Sequence, residues 1–160
     1  MTEQNTLIIG LGNPILGDDG VGWVIAQNLK IQYAGDSNLE FEFLSLGGLS
    51  LMERLTGYQK VILIDALSSG KHPQGKVVTF PLNEVPDLTS GHTSSAHDTS
   101  LRNALNLGRS MGIDLPKDEN IIVIAVEAEN VYDFSEELSP LVAAAVPEAV
   151  KLVIDIISMN

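Results

Sequence analysis

Cysteine is absent from the 160 residues. That removes disulfides, thiolate metal sites and cysteine nucleophiles together, so any nucleophile must be oxygen or water. Basic residues are scarce, and 9 Lys+Arg against 21 Asp+Glu leave a formal charge of −12. Such a field repels phosphate backbones and anionic lipid. Nucleic acid and membrane are set aside as partners, and a metal ion or a basic polypeptide segment is favoured. No apolar run approaches the roughly 20 residues of a membrane span, and no basic start followed by an apolar stretch opens the chain. A cytoplasmic monomer is expected.

What is present argues for one ordinary domain over residues 1–160. At 44% hydrophobic the chain is too apolar for disorder, and 14 Gly and 7 Pro interrupt it too often for a coiled coil. A chain of this length buries roughly 70% of its unfolded surface, enough for a single core. Thr6 to Leu11 is a short apolar run of the kind buried on both sheet faces. From Asp19 to Leu29 the positions Val21, Val24, Ile25 and Leu29 recur at helical spacing, with Trp23 on the flank. Leu39 to Leu46 alternates like a strand until Gly47-Gly48, after which Ser50 can cap a short helix through Leu55.

Val61 to Ile64 is a second continuous run, ending at Asp65 where a core strand meets solvent. Gly75 to Pro81 predicts a strand antiparallel to its neighbour. Thr89 to Ser100 reads as a polar loop, followed by a helical stripe of Leu101, Ala104, Leu105 and Gly108. Asn120 to Val126 is the last strand. A final helix starts after Ser139 with Pro140 in its first turn, and Pro147 must kink or restart it. Strands alternating with helices, most strands solidly apolar, predict a three-layer α/β/α sandwich around a mixed, mostly parallel sheet. Sites in such folds lie beyond the carboxyl ends of the strands.

Three segments there carry chemistry. Gly10 to Gly22 (GLGNPILGDDGVG) follows a strand and opens a helix, like a dinucleotide fingerprint. However, Ile15 stands at the third glycine position, and Asp18-Asp19 places two carboxylates where a pyrophosphate needs bare N–H groups. One of the two can cap the first helix, leaving the other for a metal or a proton. Asp65, at the tip of a buried run, is either a loop organiser or a ligand, because a carboxylate there needs a cation, a hydrogen bond or water. His92 and His97 lie in the polar loop; Asp98 reads as a helix cap, and His72 in its turn has little to recommend it. Glu127 and Glu129, just beyond the last strand, read first as solvated loop carboxylates and, in reserve, as further acids approaching the same edge. Two carboxylates and one imidazole from separate loops would suit a borderline divalent metal such as nickel or zinc, able to polarise a carbonyl or activate water.

In their order and separations, Gly10 to Gly22, Ile64-Asp65-Ala66 and Ser95-Ala96-His97-Asp98 resemble the [NiFe]-hydrogenase maturation endopeptidases. The resemblance extends to the chain length, the Gly47-Gly48 break and the closing Ser139-Pro140 helix. It implies a phosphorylase/hydrolase-like α/β/α fold and removal of the C-terminal extension of a [NiFe]-hydrogenase large-subunit precursor once nickel is in place. It carries nickel contacts onto Asp19, Asp65 and His97, with the metal presented by the precursor. Some relatives have glutamate at the position of Asp19, where aspartate keeps the charge and shortens the reach. With no cysteine and no evident Ser–His pair, metal-assisted attack by water is the simplest mechanism. Alternatively the three residues only recognise nickel and the hydrolytic group lies elsewhere, with Ser94 and Ser95 nearby. Two other classes stand beside the endopeptidase: a nucleotide-binding domain, opposed by Asp18-Asp19, and a non-catalytic nickel-sensing or protein-interaction module.

Overall fold

A computed structural model of the chain describes residues 5–84 and 96–159, leaving out the side chains of 96–100. The elements run β1 (Thr6–Leu11), α1 (Val21–Gln32), β2 (Leu39–Leu44), α2 (Gly48–Arg54), β3 (Lys60–Leu67), β4 (Val77–Pro81), α3 (Ala96–Ser110), β5 (Ile121–Glu127) and α4 (Pro140–Ser158). One five-stranded sheet has the order β2-β1-β3-β5-β4. β1 pairs in parallel with β2 and β3, β3 pairs in parallel with β5, and β4 lies antiparallel on β5. The mixed, mostly parallel α/β sandwich expected from the sequence is the fold found.

The solid apolar runs are explained by burial on both faces. In β1, β3 and β5, Ile8, Ile62, Ile64, Ile124 and Val126 join the core under α1 and α4. The alternate positions Leu7, Ile9, Val61, Leu63 and Val123 join the core under α2 and α3. This two-residue period is the pleat of the strand, and no polar side is left over. α1 contributes Val21, Ile25, Ala26 and Leu29 to its core; α4 contributes Val142, Ala145, Ala149, Val150 and Val153. Pro81 closes β4 at the sheet edge, where a missing N–H is tolerated.

Several local expectations shift. Val24, placed on the apolar stripe of the first helix, is exposed, and Gly22 and Ala26 pack inward beside Val21 and Ile25. α2 begins at Gly48, with extended Gly47 before it, so Ser50 lies inside the helix. α4 continues as one helix through Pro147, which does not restart it. α3 begins at Ala96, so residues 96–100 are helical and not loop, and Asp98 stands inside the first turn, beyond the capping position. His92 and Ser95 lie outside the described residues, as does Ser94. Among the described residues no helix is long and apolar enough to cross a membrane.

Candidate active site

The strand order sets where a site can form. From β1 the chain passes through α1 to β2 on one side, while β3 lies on the other side of β1. Loops that diverge from adjacent parallel strands open a space at their carboxyl ends. The register pairs Gly10 with Ile64, so the residues beyond β1 and Asp65 share one rim. α1 approaches this rim closely through Gly22, where a Cβ would come 2.2 Å from the Ile64 carbonyl oxygen and 2.6 Å from that of Leu11. Only glycine lets the helix seat there.

Asp19 is fixed by the turn that follows β1. Gly12 adopts φ 129°, and a Cβ on it would meet the Asp19 carbonyl oxygen at 2.0 Å. The chain therefore doubles back over Gly12, and the Asn13 N–H donates to Asp19 Oδ2 at 2.8 Å. Asp19 is half-buried, and its Oδ1 receives no hydrogen bond from a described residue. The one-turn 3₁₀ helix Gly17–Gly20 that carries it lies against β3.

Asp65 lies inside β3, two residues before its end, paired in register with Ala125. Its carboxylate is buried, and Oδ1 accepts the Ala66 N–H at 2.8 Å. Asp65 is in phase with Val61 and Leu63, on the sheet face covered by α2 and α3. α3 runs back along that face. The turn after its carboxyl end reaches the Gly57–Asp114 hydrogen bond, just before β3 begins. A helix of fifteen residues spans about 22 Å, so its first turn stands at the carboxyl rim. The backbone of His97 is thus at the same end as Asp19 and on the same face as Asp65. The His97 side chain lies outside the described residues. Among the described residues no three His, Asp or Glu side chains gather into a group that could hold a metal.

The neighbouring acids have different duties from those the sequence implied. Neither aspartate of the pair caps α1, whose N-cap is Gly20 with no side-chain hydrogen bond. Asp18 is fully buried and holds the other end of the fold, accepting the Ser139 N–H at 2.7 Å on Oδ1 and the Ser139 hydroxyl at 2.6 Å on Oδ2. Gln74 donates to Asp18 Oδ2 at 3.3 Å and to Ser139 Oγ at 3.0 Å. Glu127, expected to be solvated, is buried. It accepts the Ser69 hydroxyl at 2.7 Å, the Gly70 N–H at 2.8 Å and the Ser69 N–H at 3.3 Å. A carboxylate buried at a strand end is retained because loop donors satisfy it. Glu129 is exposed, as is His72. Gln74 and Ser69 carried no sequence signal, and Ser139 showed only its place before a proline-led helix.

Asp18, Asp19 and Glu127 form no ion pair with a described residue. The cations Arg54, Arg102 and Arg109 pair with Glu42 and Asp118 elsewhere. Among the described residues, no lysine or arginine pairs with these three carboxylates, and Asp19 is the partly open one, chemistry that suits a cation.

A family model described as hydrogenase maturation protease matches residues 24–156. The chain is 24% identical over 154 residues to the hydrogenase expression/formation protein HupD of Thiocapsa roseopersicina, covering 96% of this chain and 68% of that protein. It is 26% identical over 148 residues to the hydrogenase 2 maturation protease of Escherichia coli, covering 92% of this chain and 87% of that one. Among solved structures, the hydrogenase maturating endopeptidase HybD of Escherichia coli superposes with a TM-score of 0.80 at 24% identity, covering 97% and 93% of the two chains. At that identity the likeness is one of fold. The [NiFe] hydrogenase maturation protease HybD of Thermococcus kodakarensis gives a TM-score of 0.69 at 26% identity, covering 95% and 98%.

Proposed function

The chain belongs to the hydrogenase maturation protease family, and from that premise we propose that it removes the C-terminal extension of a [NiFe]-hydrogenase large-subunit precursor after nickel insertion. Asp19, Asp65 and His97 contact the nickel, which arrives as cargo of the precursor. The observation that carries this reading is the division of labour in the aspartate pair: Asp18 is consumed by the fold, while Asp19 keeps an oxygen available at the rim. Asp65 adds a second carboxylate at the same strand ends, and His97, whose backbone lies in the first turn of α3, supplies the imidazole. Two carboxylates with an imidazole suit a borderline divalent ion.

The simplest chemistry is hydrolysis assisted by that ion. The scissile carbonyl is polarised, water adds to its carbon, and the bond to the leaving amine breaks as nitrogen takes a proton. The absence of cysteine leaves water or a hydroxyl as the attacking group. Residues that read the nickel in this way would also make its presence the condition for cleavage.

The test is mass analysis of nickel-loaded and nickel-free precursor after incubation with the protein. Loss of a C-terminal peptide from the loaded sample alone is expected. Asp19→Ala, Asp65→Ala and His97→Ala, each checked for a native melting curve, should leave the loaded precursor uncut. Full processing by all three variants would remove this site from the reaction.

A further inference from the structure

The segment between β5 and α4 is stapled along the loop that carries Asp19. Asn130 accepts the Asp18 N–H at 2.9 Å, Ser135 accepts the Gly17 N–H at 2.8 Å, and the Ser135 N–H donates to the Ile15 carbonyl at 3.0 Å. The last two bonds form a parallel bridge between Leu16 and Ser135, which sets Phe134 in register beside Ile15. Asp18 then clamps Ser139 at the far end of the segment. Backbone held this way is rigid, yet the side chains it presents face water. Phe134 is 85% exposed and Ile15 47% exposed. The other three phenylalanines, Phe41, Phe43 and Phe80, are at least partly covered.

The same strip is acidic throughout. Glu129, Asp133, Glu136 and Glu137 are all exposed, and no lysine or arginine stands between Lys117 and Lys151. An exposed aromatic on preorganised backbone is the usual form of an interface anchor, and a ring of carboxylates selects a cationic partner. Its place decides which partner. The strip leaves the carboxyl end of β5 and is hydrogen-bonded to residues 15–18, so it lies beside the loop that carries Asp19.

We propose that the strip from Glu129 to Glu137, with Ile15, is the docking surface for the polypeptide substrate. It takes a segment in which an apolar side chain that covers Phe134 is flanked by lysine or arginine. This rests on the protease reading above and assigns to it the residues that govern substrate affinity. Phe134 acts in binding and has no part in bond cleavage.

The test compares steady-state processing of nickel-loaded precursor by the wild type, Phe134→Ser and the combined variant Asp133→Asn, Glu136→Gln, Glu137→Gln. Phe134→Ser should raise KM about tenfold with kcat held within about twofold, the pattern of a lost binding anchor. The neutralised variant should raise KM at low salt and lose most of the wild type's rise in KM between about 50 and 500 mM salt. Ile31→Ser removes another largely exposed apolar group, from the last turn of α1, and serves as the control. A KM for Phe134→Ser within about twofold of the wild type would overturn the proposal, as would an equal effect in the control. If the wild type leaves the precursor intact, the protease reading fails by itself. Calorimetric binding of the uncut precursor then tests the strip: binding about tenfold weaker in Phe134→Ser upholds it, and equal binding overturns it.

Discussion

Asp18 reaches across 121 residues of chain to take both donors of Ser139, the backbone N–H at 2.7 Å and the hydroxyl at 2.6 Å. A carboxylate at the start of α4 also lies at the positive end of that helix's dipole. The contact joins the turn bearing Asp19 to the helix packed under the opposite half of the sheet. The position of Asp19 is therefore set by α4 as well as by β1.

Asp18→Ala leaves two donors of partly buried Ser139 without their acceptor, a loss of about 1–3 kcal/mol. For a chain of this size that lowers Tm by roughly 3–10 °C. Asp18→Asn keeps one acceptor oxygen and should lie between the two. Asp19→Asn, which preserves an acceptor for the Asn13 N–H, should melt close to the wild type while losing precursor processing. Melting curves and processing assays on the three variants separate the roles, and an Asp19→Asn variant as unstable as Asp18→Ala would contradict the division.

Gly12→Ala attacks the same turn from inside. Alanine at φ 129° is strained by itself, and its Cβ would stand 2.0 Å from the Asp19 carbonyl oxygen, so the turn must open. A loss of at least about 2 kcal/mol is expected in urea unfolding, together with loss of processing. A variant with native stability would show that the loop accommodates the methyl group by another path.

The layered fold was legible because burial on two faces leaves a plain trace: Thr6 to Leu11 and Val61 to Ile64 contain no charged residue, and both are central strands. The antiparallel edge was legible from the short polar turn before it. The start of α3 was not, because Ala96 to Ser100 has no apolar stripe to mark a helix, and its first apolar anchor is Leu101. Glu127 could not be distinguished from a solvated loop residue, since its donors, Ser69 and Gly70, come from a distant turn. Nothing local separates Asp18 from Asp19 either. Two adjacent, identical side chains differ only in which way the turn points them, and the partner that settles the matter is Ser139. Resemblance singled out Asp19; the hydrogen bonds give the physical reason that Asp18 is committed elsewhere.

Glu127→Ala should loosen the loop after β3 without unfolding the sheet. It removes the acceptor for the Ser69 hydroxyl and for the N–H groups of Ser69 and Gly70, at a cost of about 1–3 kcal/mol. Amide hydrogen exchange should accelerate at Ser69 and Gly70 while Val61 to Ile64 stay protected. Uniform acceleration across β3 would mean that Glu127 supports the sheet itself.

Tyr58 supplies a pH test remote from the rim. Its ionisation is pushed up to about 12, first by burial, then by the hydrogen bond its hydroxyl donates to Glu40, and then by the charges of Glu40 and Glu42. The folded state thus favours the neutral phenol, while the unfolded chain ionises near the ordinary value of about 10. Between those values the folded protein binds the extra proton, so Tyr58 contributes stability that is complete below about pH 10 and disappears as pH rises through about 12. Tyr58→Phe should be less stable than the wild type at about pH 9, and the gap should narrow steadily toward about pH 12. Urea unfolding at a series of pH values measures it. A gap that stays constant across that range would mean that the Glu40 contact does not hold the proton on Tyr58.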